Sequence, residues 1–259
     1  MNAKIKTLNE VAYRRIADGV SLGINKNSHI RLKDELQIIE KTHTEDYFLS
    51  FIKIADEART AGDFYAIGSA NCSLLLYYAG ATTINPLWFN TPFERFINNY
   101  NIEHGVTPYY EISREKIFTD EQPYDTPLND IVFERAMATG LIESNLKEIA
   151  KKYPPASSYQ FTNDVLCESN GVIVWQEQVM ELLHRMGGFS YETANDLRRE
   201  GGKGLWLDKT WHEEKRKIFL QNALCCGYDY YFADKYFRYI FDANIYTRLK
   251  AHVAATVLF

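Results

Sequence analysis

The stretch from Asn170 to Gly204, NGVIVWQEQVMELLHRMGGFSYETANDLRREGGKG, constrains the fold more than any other. Val172-Ile173-Val174, bounded by Gly171, predicts a short strand. Val179, Leu182, Leu183 and Met186 then recur at i, i+3, i+4 and i+7, which predicts a helix with one apolar face. Gly187-Gly188 stops that helix, and Ser190 caps the next. The second helix ends in Arg198-Arg199-Glu200, followed by Gly201-Gly202-Lys203-Gly204. Adjacent arginines and a lysine on a glycine-rich helix exit can converge on phosphate, although such a cluster is commonly just a solvated basic helix end.

The bulk numbers set bounds around this segment. A chain of 259 residues suits one large domain or two lobes. No apolar run reaches the roughly 18 residues of a membrane span, and the polar start, Met1 to Glu10, does not look like a signal peptide. Cys72, Cys167, Cys225 and Cys226 lack zinc-ligand spacing and read as reduced thiols, which predicts a cytoplasmic protein. A net charge of −5 gives no global nucleic-acid signature, so any phosphate contact must come from a local basic patch.

Taken in order, Leu8–Leu22, Leu32–Glu40 and Glu45–Thr60 predict three helices, with a turn at Asn25–Ser28 between the first two. Phe64–Ile67 predicts a strand, and Gly68-Ser69 turns the chain into a helix through Ser73–Leu76. Free N–H groups at such a turn can cradle phosphate. A short helix is expected at Phe93–Ile97 and a lobe boundary in the polar run Asp120–Thr126, dividing the chain into 1–122 and 123–259. Three more helices are expected at Trp211–Cys226, Tyr231–Ala243 and Thr247–Val257.

The segment 170–204 resembles the fingers of the polymerase (alpha) subunit of bacterial DNA polymerase III. That pattern runs roughly G-I-I-x-Y-Q-E-Q-V-M, a glycine and an aromatic, then A-D-x-L-R-R-x-x-G-K-K. It stands here as Gly171 to Met180, Gly188-Phe189, Ala194 to Arg199, and Gly202-Lys203. Earlier parts resemble the palm of the same family: Glu35-Leu36-Gln37-Ile38-Ile39, Tyr47-Phe48-Leu49, Gly68 to Ser73, Asn85-Pro86-Leu87 and Phe93 to Asn98. Lys250 and His252 match the lysine and histidine that close the family's fingers.

The resemblance implies an α+β fold, predominantly helical, with a degenerate nucleotidyltransferase-like palm holding a small mixed sheet and a helical fingers-like lobe. It implies phosphate contacts from Gly68, Ser69, Arg95, Arg198, Arg199, Lys203 and Lys250. The family's three metal-binding aspartates fall in register on Tyr109, Glu111 and Ser113, and paired carboxylates are what hold two ions about 3.5–4 Å apart. The expectation is therefore a truncated palm-plus-fingers derivative without the catalytic aspartates, of the compact kind found in viral or mobile elements, working in a bacterial or phage-infected cell. No metal ligand is assigned, and Mg²⁺ is left open as a cofactor. The implied partners are DNA, a pyrophosphate- or nucleotide-type ligand and replication or DNA-modification proteins, with no membrane. Glu111, His252 and Tyr109 are the candidate catalytic groups, for a non-polymerising transfer in which an amine displaces pyrophosphate from an activated DNA base. The alternatives are a catalytically inactive DNA- or nucleotide-binding accessory and a scaffold for protein contacts.

Overall fold

The computed structural model describes residues 2–17, 26–98, 102–105, 107–114, 128–138 and 140–258. These form two units, one of residues 1–121 with 251–259, the other of residues 122–250. The final nine residues thus group with the first unit, whereas the sequence division assigned them to the second.

In the first unit, helices α1 (Ala3–Ala17), α2 (Lys26–Thr42) and α3 (Glu45–Thr60) pack against the short α4 (Leu74–Tyr78). Each long helix has a buried stripe: Ile5, Leu8 and Ala12 on α1; Leu32, Leu36 and Ile39 on α2; Phe48, Phe51, Ile52 and Ala55 on α3. Every residue of α4 is buried, which explains its unbroken apolar sequence. The expected turn at Asn25–Ser28 is replaced by helix from Lys26 onward, where Ser28 is buried. Asn25 lies outside the described residues.

The sheet consists of β1 (Tyr65–Ile67) and β2 (Glu111–Ser113), antiparallel, with Tyr65 opposite Ser113 and Ile67 opposite Glu111. It is smaller than the mixed sheet expected, and among the described residues no third strand joins it. Phe51 stacks on Tyr110 at 4.9 Å between ring centroids, and the Tyr110 hydroxyl donates to the Ala81 carbonyl at 2.7 Å. These contacts fix the chain entering β2. The expected helix at Phe93–Ile97 is a single 3₁₀ turn, Phe93–Arg95.

The second unit holds α5 (Leu128–Met137), α6 (Gly140–Ala150), α7 (Gln160–Leu166), α8 (Gln176–Arg185), α9 (Tyr191–Gly202), α10 (Lys209–Cys225) and α11 (Tyr230–Asn244). The stripe Val179, Leu182, Leu183 and Met186 is fully buried, and each such side chain contributes about 1.5–3 kcal/mol. Ser190 caps α9 as expected, its Oγ accepting from the Thr193 amide at 3.0 Å. On α11, Ala233, Tyr236, Phe237 and Ile240 face inward. A last helix, α12 (Lys250–Leu258), starts at the end of this unit.

Val172–Val174 is not a strand, against expectation. The Ile173 amide donates to the Tyr239 hydroxyl, and the Val174 amide donates to the Gln178 side chain. Beyond it, Trp175 and Arg248 form an isolated bridge. Local β-branched preference loses here to partners supplied by the fold.

The Gly187-Gly188 stop is also a packing device. Gly188 has φ +67°, and a Cβ there would lie 2.8 Å from Cγ of Asn222, whose amide donates to the Gly187 carbonyl at 2.8 Å. Gly188→Ala is expected to lower the unfolding free energy by about 1–3 kcal/mol in urea denaturation. A loss below about 0.5 kcal/mol, the range of a neutral surface change, would contradict this account.

Candidate functional site

The Gly68–Cys72 turn follows β1 directly. Gly68 sits at φ +78°, a conformation that glycine tolerates best, and its N–H donates to Nδ1 of His252 at 3.1 Å. An accepting Nδ1 makes this imidazole neutral, with its proton on Nε2. The donor that a phosphate would use is thus already engaged. Asn71 is fully buried below the turn and donates to the carbonyls of Ala66, at 2.8 Å, and Gly68, at 3.3 Å. Ser69 and Arg95 are half-buried.

The β pairing sets Glu111 opposite Ile67, the residue before Gly68. Both Glu111 and Tyr109 are exposed, and the Tyr109 hydroxyl donates to the Glu111 carboxylate. The first unit therefore contains Gly68, Ser69, Arg95, Tyr109, Glu111 and His252, although His252 was expected to belong with the fingers-like lobe. β2 carries a single carboxylate, Glu111. Among the described residues no group of three or more His, Cys, Asp or Glu side chains could hold a metal ion. The donors on this strand do not fit a pair of Mg²⁺ ions, which needs shared carboxylates.

The other candidates belong to the second unit. Arg198 is buried and donates through Nε and Nη2 to Oδ1 of Asn195 at 3.2 and 2.9 Å. Lys250 is 3% exposed, its Nζ lies 2.5 Å from Glu168 Oε2, and it sits over the Trp175 ring. Arg199 is half-buried, whereas Lys203 is exposed at the end of α9. Glu177 accepts the Lys250 backbone N–H at 3.0 and 3.2 Å, a carboxylate placed at the start of α12.

Sequence reasoning gave no role to the pair that organises the first unit. Glu35 is fully buried and accepts from Arg31 Nε at 2.7 Å, Ser73 Oγ at 2.9 Å, and the Leu74 and Leu75 amides at 2.9 and 3.0 Å. Burial works to lower the Arg31 pKa, but the Glu35 carboxylate more than offsets it and holds the guanidinium above its ordinary value. The available signal was a glutamate on the apolar stripe of α2 with an arginine at i−4.

Two family models match this chain. Residues 6–104 match the bacterial DNA polymerase III alpha NTPase domain, and residues 133–224 match the finger domain of the same subunit. The chain belongs to the bacterial DNA polymerase III alpha family. Similar relatives include DNA polymerase III subunit alpha of Treponema pallidum, 36% identical over 44% of this chain and 9% of that protein. The subunit alpha of Borreliella burgdorferi is 38% identical over 40% of this chain and 8% of its own length. An error-prone DNA polymerase of Bordetella bronchiseptica is 26% identical over 66% of this chain and 16% of its own length. The aligned regions are thus a small part of each relative. The two matched DNA polymerase III alpha domains follow one another in the order that the sequence patterns implied. Among the described residues, no helix is long and apolar enough to cross a membrane.

Proposed function

We propose that this chain is a DNA-metabolism protein that binds DNA and a pyrophosphate-bearing group and transfers a group with loss of pyrophosphate, without templated synthesis. The observation that carries this reading is the β pairing that sets one carboxylate, Glu111, opposite the residue preceding Gly68, with Tyr109 hydrogen-bonded to it. In the proposed step an amine nitrogen attacks the base carbon that bears the pyrophosphoryl oxygen. The C–N bond forms, the C–O bond breaks, pyrophosphate leaves, and Glu111 takes the amine proton. His252 is the poorer base, because its accepting nitrogen already holds the Gly68 N–H. Ser69 and Arg95, both half-buried on the first unit, are the proposed phosphate contacts.

Primer extension tests the first half of the proposal. No extension is expected with Mg²⁺ or Mn²⁺, and extension that Glu111→Ala abolishes would refute it. Calorimetric titration of pyrophosphate tests the second half. Charge-assisted hydrogen bonds contribute about 1.5–3 kcal/mol, so Arg95→Ala is expected to weaken binding roughly tenfold or more. Equal affinity in wild type and this variant would discard the contact.

A second reading, a non-catalytic DNA- or nucleotide-binding accessory, is favoured by the internal pairing of Lys250 with Glu168 and of Arg198 with Asn195. Pyrophosphate or DNA binding without any base modification would select it.

A further inference from the structure

We infer that Arg31 and Glu35 are positioning residues that hold the Gly68–Cys72 turn and the Arg95 segment in one fixed arrangement. The inference rests on the phosphate-binding reading above. The Arg31 guanidinium has three tasks at once. Nε donates to Glu35, while Nη2 donates to the Cys72 carbonyl at 3.0 Å and to the Thr91 carbonyl at 3.1 Å. Cys72 ends the turn that begins at Gly68, and Thr91 lies just before the Phe93–Arg95 turn. The same guanidinium lies 5.9 Å from the centroid of the Phe93 ring. Glu35 completes the link by gripping the three residues after the turn, Ser73 through its hydroxyl and Leu74 and Leu75 through their amides. Two segments far apart in sequence, one carrying Gly68 and Ser69 and the other Arg95, thereby share one buried anchor on α2.

Stability alone does not account for such an anchor. A buried ion pair can often be replaced by apolar residues at no loss, so it is weak evidence for stabilisation. What an apolar pair cannot do is fix the angle between two carbonyls and a carboxylate, which the planar guanidinium fork does. Lysine keeps the charge but has no such fork. Arg31→Lys therefore separates positioning from charge, and Glu35→Gln, of nearly equal size, puts an amide among donors as a second variant.

The test is a double-mutant cycle on the full chain, with inorganic pyrophosphate as the titrant and circular dichroism to confirm folding. Proteins compared are wild type, Arg31→Lys, Arg95→Ala and the double variant, with Glu35→Gln taken through the same cycle. If Arg31 positions Arg95, the roughly tenfold penalty of Arg95→Ala in wild type should shrink to about threefold or less in the Arg31→Lys background. An unchanged Arg95→Ala penalty in both backgrounds, with only the melting temperature lowered, would overturn the inference. If wild type does not bind pyrophosphate, the binding reading fails separately. Backbone amide resonances then decide the positioning claim. Shifts at Gly68, Ser69 and Arg95 on Arg31→Lys support it, and shifts confined to α2, residues 72–75 and Thr91 overturn it.

Discussion

Glu35→Ala is expected to lower the unfolding free energy by about 3–5 kcal/mol, the usual cost of stranding one member of a buried ion pair. The substitution removes the acceptor for four donors. Ser73 can turn its hydroxyl elsewhere, but the Leu74 and Leu75 amides cannot, since they open α4 in a fully buried position. The Arg31 side chain, 22% exposed, would keep its charge with only carbonyls to satisfy it. Urea denaturation followed by circular dichroism measures the loss. A companion variant that replaces both Arg31 and Glu35 by leucine should recover part of it, because it removes the stranded cation. A loss under about 1 kcal/mol for Glu35→Ala would place the carboxylate among ordinary surface pairs.

The features legible in the sequence were those set by local periodicity. Helix α3 runs over Glu45–Thr60, as the stripe Phe48, Phe51, Ile52 and Ala55 predicts, and Ser190 caps α9 where a capping residue was expected. The patterned blocks around Gly68 and Gln176 also pointed to the family that the two domain matches show. Partnerships across long sequence distances were not legible. His252 accepts a hydrogen bond from a residue 184 positions away, and Lys250 pairs with one 82 positions away. No periodicity encodes either contact. Each also changes the chemistry read from the residue alone, since a paired lysine and an occupied imidazole are less available to a ligand. The Val172–Val174 segment failed for a related reason. β-branched residues favour extended backbone, but here the Ile173 and Val174 amides go to side-chain acceptors, and the Val174 carbonyl takes the Arg248 amide at 2.9 Å beside an isolated bridge. The register that sets Tyr109, Glu111 and Ser113 where the family has metal-binding aspartates came from the resemblance, and Glu115, Asp120 and Glu121, which follow it, lie outside the described residues.

Gln178→Leu is expected to cost the second unit about 2–5 kcal/mol, on the basis of about 1–3 kcal/mol for each stranded buried donor. Gln178 is 4% exposed and uses both ends of its amide. Oε1 accepts from the Val174 and Trp175 amides at 2.9 and 3.0 Å, while Nε2 donates to Ser169 Oγ at 2.7 Å and to the Val165 carbonyl at 3.2 Å. Leucine fills a similar volume but leaves the two amides without an acceptor at the start of α8. Gln178→Glu keeps that acceptor and loses only the two donated bonds, so its loss should be smaller than that of leucine. The ordering matters more than either value. If the two variants are equally damaging, burial of charge outweighs amide satisfaction at this site; if leucine is harmless, Gln178 does not organise the helix start. The expected order, measured by urea denaturation with tryptophan fluorescence beside it, would show that the last glutamine of the Q-E-Q pattern serves the fold by holding the amides at the start of α8.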